Sequence, residues 1–324
     1  MKKAITAILG TAAMLVFCFS AYAQNVKPQR PKITGIAHIS LYSEDLDNAA
    51  ALFKDYLGFG DPYFLRREGK PTFMFIKVND RQYIEFVEDK QHRLIKYKHT
   101  AFETDDVEGM RLYLRSMGIV VPDQLDDVGT GFKSFFCKDF NGHDVEFVQY
   151  TSEGLLAQHK GENMPSTRIS DTMRHVGWTC QDSPKDLAFY GYILGFTEFW
   201  RGGEDPSKIN WIKMRLPDSK DYVELMLIDH DLNQEELGLY NHLDFDMDDV
   251  QATKNLLDTR RLPAGCRPAG DQSKGVCGYG LSNVYLPDDT RIELMTKIAL
   301  GGTPSASTYG VPLRFDGVQS TTRK

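Results

Sequence analysis

Histidine and glutamate recur along this sequence in pairs whose spacing could hold a metal ion. His38 precedes Glu85 by 47 residues, His99 precedes Glu146 by 47, His175 precedes Glu224 by 49 and His242 precedes Glu293 by 51. Each glutamate sits inside an apolar triplet: Ile84-Glu85-Phe86, Val145-Glu146-Phe147, Val223-Glu224-Leu225 and Ile292-Glu293-Leu294. In a strand, alternation sends such a glutamate to one sheet face and its apolar neighbours to the other. An ionised carboxylate there is costly to bury without a partner. A cation would supply that partner. Imidazole and carboxylate together suit a divalent transition metal; zinc, nickel, cobalt, manganese and iron are all compatible. One such histidine alone would read as a hydrogen-bonded core residue, and one such glutamate as a solvated strand residue. Recurrence in four places out of four points to ligands.

The elements that position these residues repeat as well. The unit is a strand, a helix and three strands, and it occurs four times. The first begins with Ile33–Leu41, which carries His38. Ala49, Leu52, Phe53, Tyr56 and Leu57 then share one helical face, and Gly58 is placed to end the helix. Strands follow at Tyr63–Arg67, Thr72–Val78 and Gln82–Glu88, separated by turn-formers. The second unit starts near Lys98 with His99. Its helix carries Val107, Met110, Leu114 and Met117 and stops at Gly118, and its last strands are Lys133–Cys137 and Asp144–Tyr150. The third starts at Met173 with His175. Ser183 is placed to cap its helix, Pro184 fills the first turn, Asp186 completes a capping-box arrangement and Gly195 ends it. The fourth starts at Tyr240 with His242, has a helix from about Asp249, and closes with Asn283–Leu286 and Arg291–Thr296. Odd units resemble one another, and so do even ones. His99-Thr-Ala-Phe-Glu-Thr-Asp-Asp-Val107, for example, parallels His242-Leu-Asp-Phe-Asp-Met-Asp-Asp-Val250. A duplicated two-unit ancestor accounts for this.

These motifs resemble the vicinal-oxygen-chelate superfamily, which includes glyoxalase I, bleomycin-resistance proteins and extradiol dioxygenases. The likeness rests on His38…Leu57-Gly58-Phe59, His175…Leu194-Gly195-Phe196 and the run Asp139-Phe140-Asn141-Gly142-His143-Asp144-Val145-Glu146-Phe147, which looks like the family's closing motif with Phe140 in place of proline. It covers roughly residues 33–298. The resemblance implies an α+β fold in which four βαβββ modules form two cupped mixed sheets with helices packed outside. It implies domains at 32–150 and 171–298. By likeness to glyoxalase I, one half would offer His38, Glu85, His99 and Glu146, and the other His175, Glu224, His242 and Glu293. Pairing of unit 1 with 4 and 2 with 3 would use the same eight ligands, and both pairings stand open. Four ligands leave an octahedral ion two positions for adjacent substrate oxygens. The ion would act as a Lewis acid on an enediolate, and Glu146 or Glu293 would move the proton. That chemistry is isomerase, epimerase or lyase chemistry on a small oxygenated compound. An Fe(II) extradiol dioxygenase using His175, His242 and Glu293 is the first alternative. Against it stand Glu224 and the lack of any histidine in residues 197–216 and 266–292. A non-enzymatic small-molecule binder is the second.

The remaining chain bounds the setting. Lys2 and Lys3, an apolar run over residues 4–20 and Ala21-Tyr22-Ala23 read as a cleavable export signal over residues 1–23, with a mature start at Gln24 and a periplasmic or secreted product. Without residues 1–23 the chain has 36 basic and 45 acidic side chains, a net charge of −9. No basic run dominates, which argues against nucleic acid and against a membrane partner beyond export. A monomer or homodimer acting on a small molecule is expected. Residues 151–170 read as a linker and 299–324 as a loose tail. Cys266 and Cys277 flank a Gly/Pro-rich loop and could form a disulfide after export, whereas Cys137 and Cys180 read as small buried hydrophobes. Trp178, Trp200, Trp211, Arg201 and Arg215 are candidates to line a substrate cup. His92, His143, His159 and His230 match no ligand place.

Overall fold

The computed structural model describes residues 28–127, 131–230 and 240–307. The expected export signal lies outside them. The first half contains strands β1 (Ile33–Ser43), β2 (Tyr63–Leu65), β3 (Phe73–Lys77), β4 (Tyr83–Glu88), β5 (Tyr97–Thr104), β6 (Asp126–Asp127), β7 (Phe132–Lys138) and β8 (Asp144–Tyr150). Helix α1 (Leu46–Ala51) runs on as a π-helical turn, Leu52–Tyr56; α2 is Val107–Ser116, and the short α3 (Leu155–Gln158) follows β8. The second half repeats the plan. Its strands are β9 (Met173–Cys180), β10 (Thr197–Gly202), β11 (Trp211–Arg215), β12 (Tyr222–Leu227), β13 (His242–Met247), β14 (Ser273–Lys274), β15 (Gly280–Tyr285) and β16 (Arg291–Thr296). Helix α4 (Ser183–Asp186) continues into the π turn Leu187–Ile193, and α5 is Val250–Leu257.

Each half forms one eight-stranded mixed sheet, ordered β2-β3-β4-β1-β5-β8-β7-β6 and β10-β11-β12-β9-β13-β16-β15-β14. Unit 1 therefore pairs with unit 2, and unit 3 with unit 4. At each centre two antiparallel first strands are flanked by the parallel last strands of their own units. The His-bearing and Glu-bearing strands thus lie side by side.

Local chemistry sets the helix ends. An aspartate caps all four unit helices: Asp45 accepts from Asn48 N, Asp106 from Gly109 N, Asp182 from Lys185 N and Asp249 from Ala252 N. In unit 3 the cap is Asp182, one residue before the expected Ser183. Asp186 does not close a capping box; it is buried, with no hydrogen-bond partner for its carboxylate. Gly58, Gly118 and Gly195 stop their helices with φ of 79°, 84° and 77°.

The strand glutamates face the hollow of each sheet. Their neighbours Ile84, Phe86, Val223, Leu225, Ile292 and Leu294 are wholly buried on the other side. There one hydrophobic cluster runs through both halves. Phe59 packs on Phe245 at 5.0 Å between ring centres and Phe102 on Phe196 at 5.4 Å. Residues 151–170 are held against the first half, with Asp61 N donating to Asn163 Oδ1 at 2.9 Å and Ile169 N to Leu57 O at 3.0 Å. The start of the expected loose tail is also tied down: Ser305 N donates to Cys277 O, Trp200 Nε1 to Ser305 O, and Arg201 N to Ser307 Oγ. Cys266 and Cys277 are not joined. Both are buried thiols, one beside Asn48 Oδ1 at 3.4 Å and the other 3.5 Å from Lys213 Nζ. The loop between them does not bring the two sulfurs together. No helix among the described residues is long and apolar enough to cross a membrane.

Candidate metal centre

In the second half, His175, Glu224, His242 and Glu293 converge, with one donor atom from each lying within 4.8 Å of the others. The two Nε2 atoms are 3.0 Å apart. Glu293 Oε2 is 3.2 Å from His175 Nε2 and 3.6 Å from His242 Nε2; Glu224 Oε2 is 3.8 Å and 3.3 Å from them. Donors bound to one ion at about 2.1 Å must stand roughly 3 to 4 Å apart, so these separations suit a single cation.

The outward side of each ring bears on its tautomer. His242 Nδ1 lies 3.1 Å from the Tyr240 carbonyl oxygen, and His175 Nδ1 lies 3.1 Å from Asp244 Oδ2. The Tyr240 oxygen takes the Nδ1 proton of His242 and leaves its Nε2 as a lone-pair donor; Asp244 stands close enough to His175 Nδ1 to favour the same tautomer, but the pair lies outside hydrogen-bond geometry. Two Nε2 atoms 3.0 Å apart require a proton or a cation between them. Tyr222 stacks on His175 at 4.5 Å and holds its plane. Gly177 lies opposite both Glu224 and His242 in register. A Cβ on it would fall 2.0 Å from His242 Cε1, so only glycine admits this ring.

Charge follows geometry. Burial works to lower His175, but Asp244 and Glu293 outweigh it and hold the ring up to about 9. Burial works to raise Glu293, yet His175, Arg291 and His242 hold it at about 2. Glu224 likewise stays well below the usual carboxylate range, against burial, chiefly through Lys213 and His242. Lys213 Nζ is 3.2 Å from Glu224 Oε1 and is itself buried. Burial dominates at His242 and lowers it. Over the quartet lies a cavity of about 290 Å³, walled by Trp200, Trp211, Lys213, Cys277, Asn283 and Arg291.

The first half brings together only three of its four expected residues. His38 Nε2, His99 Nε2 and Glu146 Oε2 are mutually 3.1 Å apart. Glu85 stands apart from them: its Oε1 accepts from Ser40 Oγ at 2.5 Å and lies 3.7 Å from Lys98 Nζ. Ser40 occupies the place that Gly177 has in the other sheet, and its hydroxyl draws the carboxylate away. Lys98 Nζ is 3.2 Å from His99 Nδ1. An ammonium donor there leaves the ring proton on Nε2, facing Glu146 and His38. Ala101 stands where Asp244 stands in the second half, and His38 Nδ1 has no partner. Glu146 is held well below the usual carboxylate range, against burial, by His38 and His99. This triad closes as a hydrogen-bonded cluster of its own. Beside it lies an aromatic cavity of about 380 Å³ lined by Phe75, Tyr83, Phe132 and Tyr150.

Residues 35–147 match the Glyoxalase/Bleomycin resistance protein/Dioxygenase superfamily. The chain carries a vicinal-oxygen-chelate domain. Among solved structures the chain is similar to a variant of homoprotocatechuate 2,3-dioxygenase from Brevibacterium fuscum, with 16% identity, a TM-score of 0.63, and 87% of this chain and 76% of that chain covered. The same enzyme in an anaerobic complex with 3,4-dihydroxyphenylacetate gives 16% identity, a TM-score of 0.60, and 93% and 90% coverage. The 2,3-dioxygenase LapB from Pseudomonas sp. KL28 gives 14%, 0.61, and 87% and 98%. At these identities the likeness is one of fold. No curated protein matches the chain. In this vicinal-oxygen-chelate fold the hollow of each cupped sheet is where the candidate ligands gather.

Of the residues expected to line a cup, Trp200 and Trp211 do so in the second half. Trp178 instead packs in the core against Tyr97, and Arg201 is engaged by Glu198. Arg215 lies over the Phe199 ring at the rim of a neighbouring hollow. The sequence reading missed Asp244 and Lys213. Alternation carried a signal for the first, since Asp244 is two residues from His242 and shares its face. His92, His159 and His230 pair at the surface with Glu44, Glu162 and Asp229.

Proposed function

We propose that the second half is a metal-dependent active site that performs glyoxalase I-like proton transfer on a small, anionic compound with adjacent oxygens. The observation that carries this reading is the pair of Nε2 atoms 3.0 Å apart with the carboxylates of Glu224 and Glu293 beside them. His175, His242, Glu224 and Glu293 would hold a divalent ion, which when bound supplies Lewis-acid stabilisation of an oxyanion. Lys213 and Arg291 place positive charge on the cavity wall and favour an anionic substrate. Trp200 and Trp211 bound the cavity and exclude water from the reacting carbon. Glu293 takes the carbon-bound proton on a carboxylate oxygen and returns it to the neighbouring carbon. Lys213 keeps Glu224 ionised throughout.

The test is solvent exchange. Protein loaded in turn with Zn(II), Ni(II), Mn(II) and Fe(II) is incubated with small α-hydroxycarbonyl acids in D2O and followed by NMR. Deuterium should enter at the carbon next to the carbonyl. Glu293→Gln should slow this by about 10²-fold or more. Exchange that ignores the metal and Glu293→Gln would sink the reading. One observation favours a second reading. Lys213 engages Glu224, and a Glu224 held off the ion leaves the two-histidine, one-carboxylate set His175, His242 and Glu293 of an Fe(II) extradiol dioxygenase. Oxygen uptake with catechols by the Fe(II)-loaded protein, without deuterium exchange, would select it. We further propose export through residues 1–23, testable by N-terminal sequencing of the secreted chain.

A further inference from the structure

A second polar cluster is buried where the two halves meet. Asp139 and His143 belong to the β7–β8 turn of the first half, and Asp186 ends α4 in the second. One donor atom from each lies within 4.8 Å of the others. His143 Nδ1 is 2.9 Å from Asp139 Oδ2, which also accepts from Tyr190 OH at 3.1 Å. The backbone N–H groups of Asn141 and His143 both donate to Asp139 Oδ1 at 2.9 Å and fix the carboxylate. Asp186 has no such support. Its side chain is wholly buried and neither carboxylate oxygen has a partner in hydrogen-bond geometry; the Cys180 thiol and the Asn141 amide are its nearest polar neighbours. The Asn141 amide nearby is turned to Asp182 O at 3.1 Å. Among the described residues no lysine or arginine forms an ion pair with Asp139 or Asp186.

With both carboxylates ionised the arrangement lacks positive charge: beside a neutral imidazole they carry −2, and protonating His143 leaves −1 unless Asp186, which burial pushes up to about 6, takes a proton as well. An unpaired charge there is strongly unfavourable. A divalent cation balances the two carboxylates while the imidazole stays neutral, and two oxygens with one nitrogen suit zinc and its neighbours. The His143 ring provides the way in, since its side chain is 23% exposed while those of Asp139 and Asp186 are enclosed. Tyr97 and Trp178 wall the ring on the core side. We propose that Asp139, His143 and Asp186 form a second metal site that takes a divalent transition-metal ion and fastens the first half to the second. The motif run that ends in Glu146 thus serves two purposes: Glu146 points into the first cup, and Asp139 and His143 point at the other half.

The experiment is zinc binding, by calorimetry and elemental analysis, on chelator-stripped full-length protein. A His38→Ala, His242→Ala variant disables both cups and should still bind one zinc per chain; adding Asp186→Asn should bring that to none. In the otherwise natural chain Asp186→Asn, which removes a buried charge without changing shape, should lower the zinc count by one and abolish the part of the zinc-induced rise in Tm that the cup variant retains. His143→Gln should do the same. A cup variant that binds no zinc, or an Asp186→Asn chain with an unchanged count, overturns the proposal. Failure of the cup chemistry would leave these outcomes unaltered, because the decisive counts are made with the cups disabled or held constant.

Discussion

Asp244 sets the direction in which His175 can act. Its Oδ2 stands 3.1 Å behind His175 Nδ1 while Nε2 faces the cup, the place that partners of ligating imidazoles take in metal sites. Asp244→Asn should weaken zinc binding at the second cup by about 10- to 100-fold, measured by competition with a chromophoric chelator. An unchanged affinity would remove Asp244 from the site. The same residue creates a pH dependence. In the metal-free protein His175 is held up to about 9, above its ordinary 6.5. Its proton therefore stabilises the metal-free fold fully below pH 6.5, and that contribution is lost as pH rises through 9. Metal affinity moves the other way, because the proton must leave Nε2 first. Affinity should climb about tenfold per pH unit below 9 and level off above it, with close to one proton released per ion near neutrality. Calorimetry in two buffers of different ionisation enthalpy reads that proton directly, and a flat profile between pH 7 and 9 would refute it.

At the level of strands, one residue on the central strand of each sheet separates the two cups. Gly177 on β9 leaves space for the His242 ring, whereas Ser40 on β1 takes Glu85 away from the histidines. Gly177→Ala should abolish metal binding at the second cup, while Ser40→Gly should leave folding intact; elemental analysis and circular dichroism separate these outcomes. The helices carry a prediction of a different kind. Asp106 and Asp249 cap α2 and α5 through bonds of 2.8 Å and 2.9 Å. Asp249→Ala should cost about 1 kcal/mol of stability, read as a shift in the urea midpoint with the metal count unchanged.

Across the whole molecule, the two sheets share one apolar core, so they should unfold together. Phe245 packs on Phe59 across the halves and is fully buried. Phe245→Ala should cost about 3–5 kcal/mol and move a single transition reported by probes in both halves. Two separated transitions in the natural chain would contradict a continuous core. Polar contacts cross the same boundary: Gln82 Nε2 donates to Met173 O at 2.8 Å, and Ile36 N donates to Asp221 Oδ2 at 3.0 Å. The strands that hold the cup residues are thereby braced from behind by the opposite half.

The four-unit plan, the strand that carries each histidine and glutamate, and the helix stops at Gly58, Gly118 and Gly195 could all be read from the sequence. They rest on spacing and on residue-by-residue alternation, which are local properties. Tertiary structure alone decided which cup assembles a full quartet. That outcome depends largely on side chains from neighbouring strands: Ser40 against Gly177, Ala101 against Asp244, and Lys98 reaching towards Glu85. Whether a polar side chain reaches a ligand is settled across the gap between strands, and no one-dimensional period records it. The separation of Cys266 from Cys277 has the same origin, as does the meeting of His143 with Asp186. Long-range placement, rather than residue type, determines which polar groups find a partner once water is excluded.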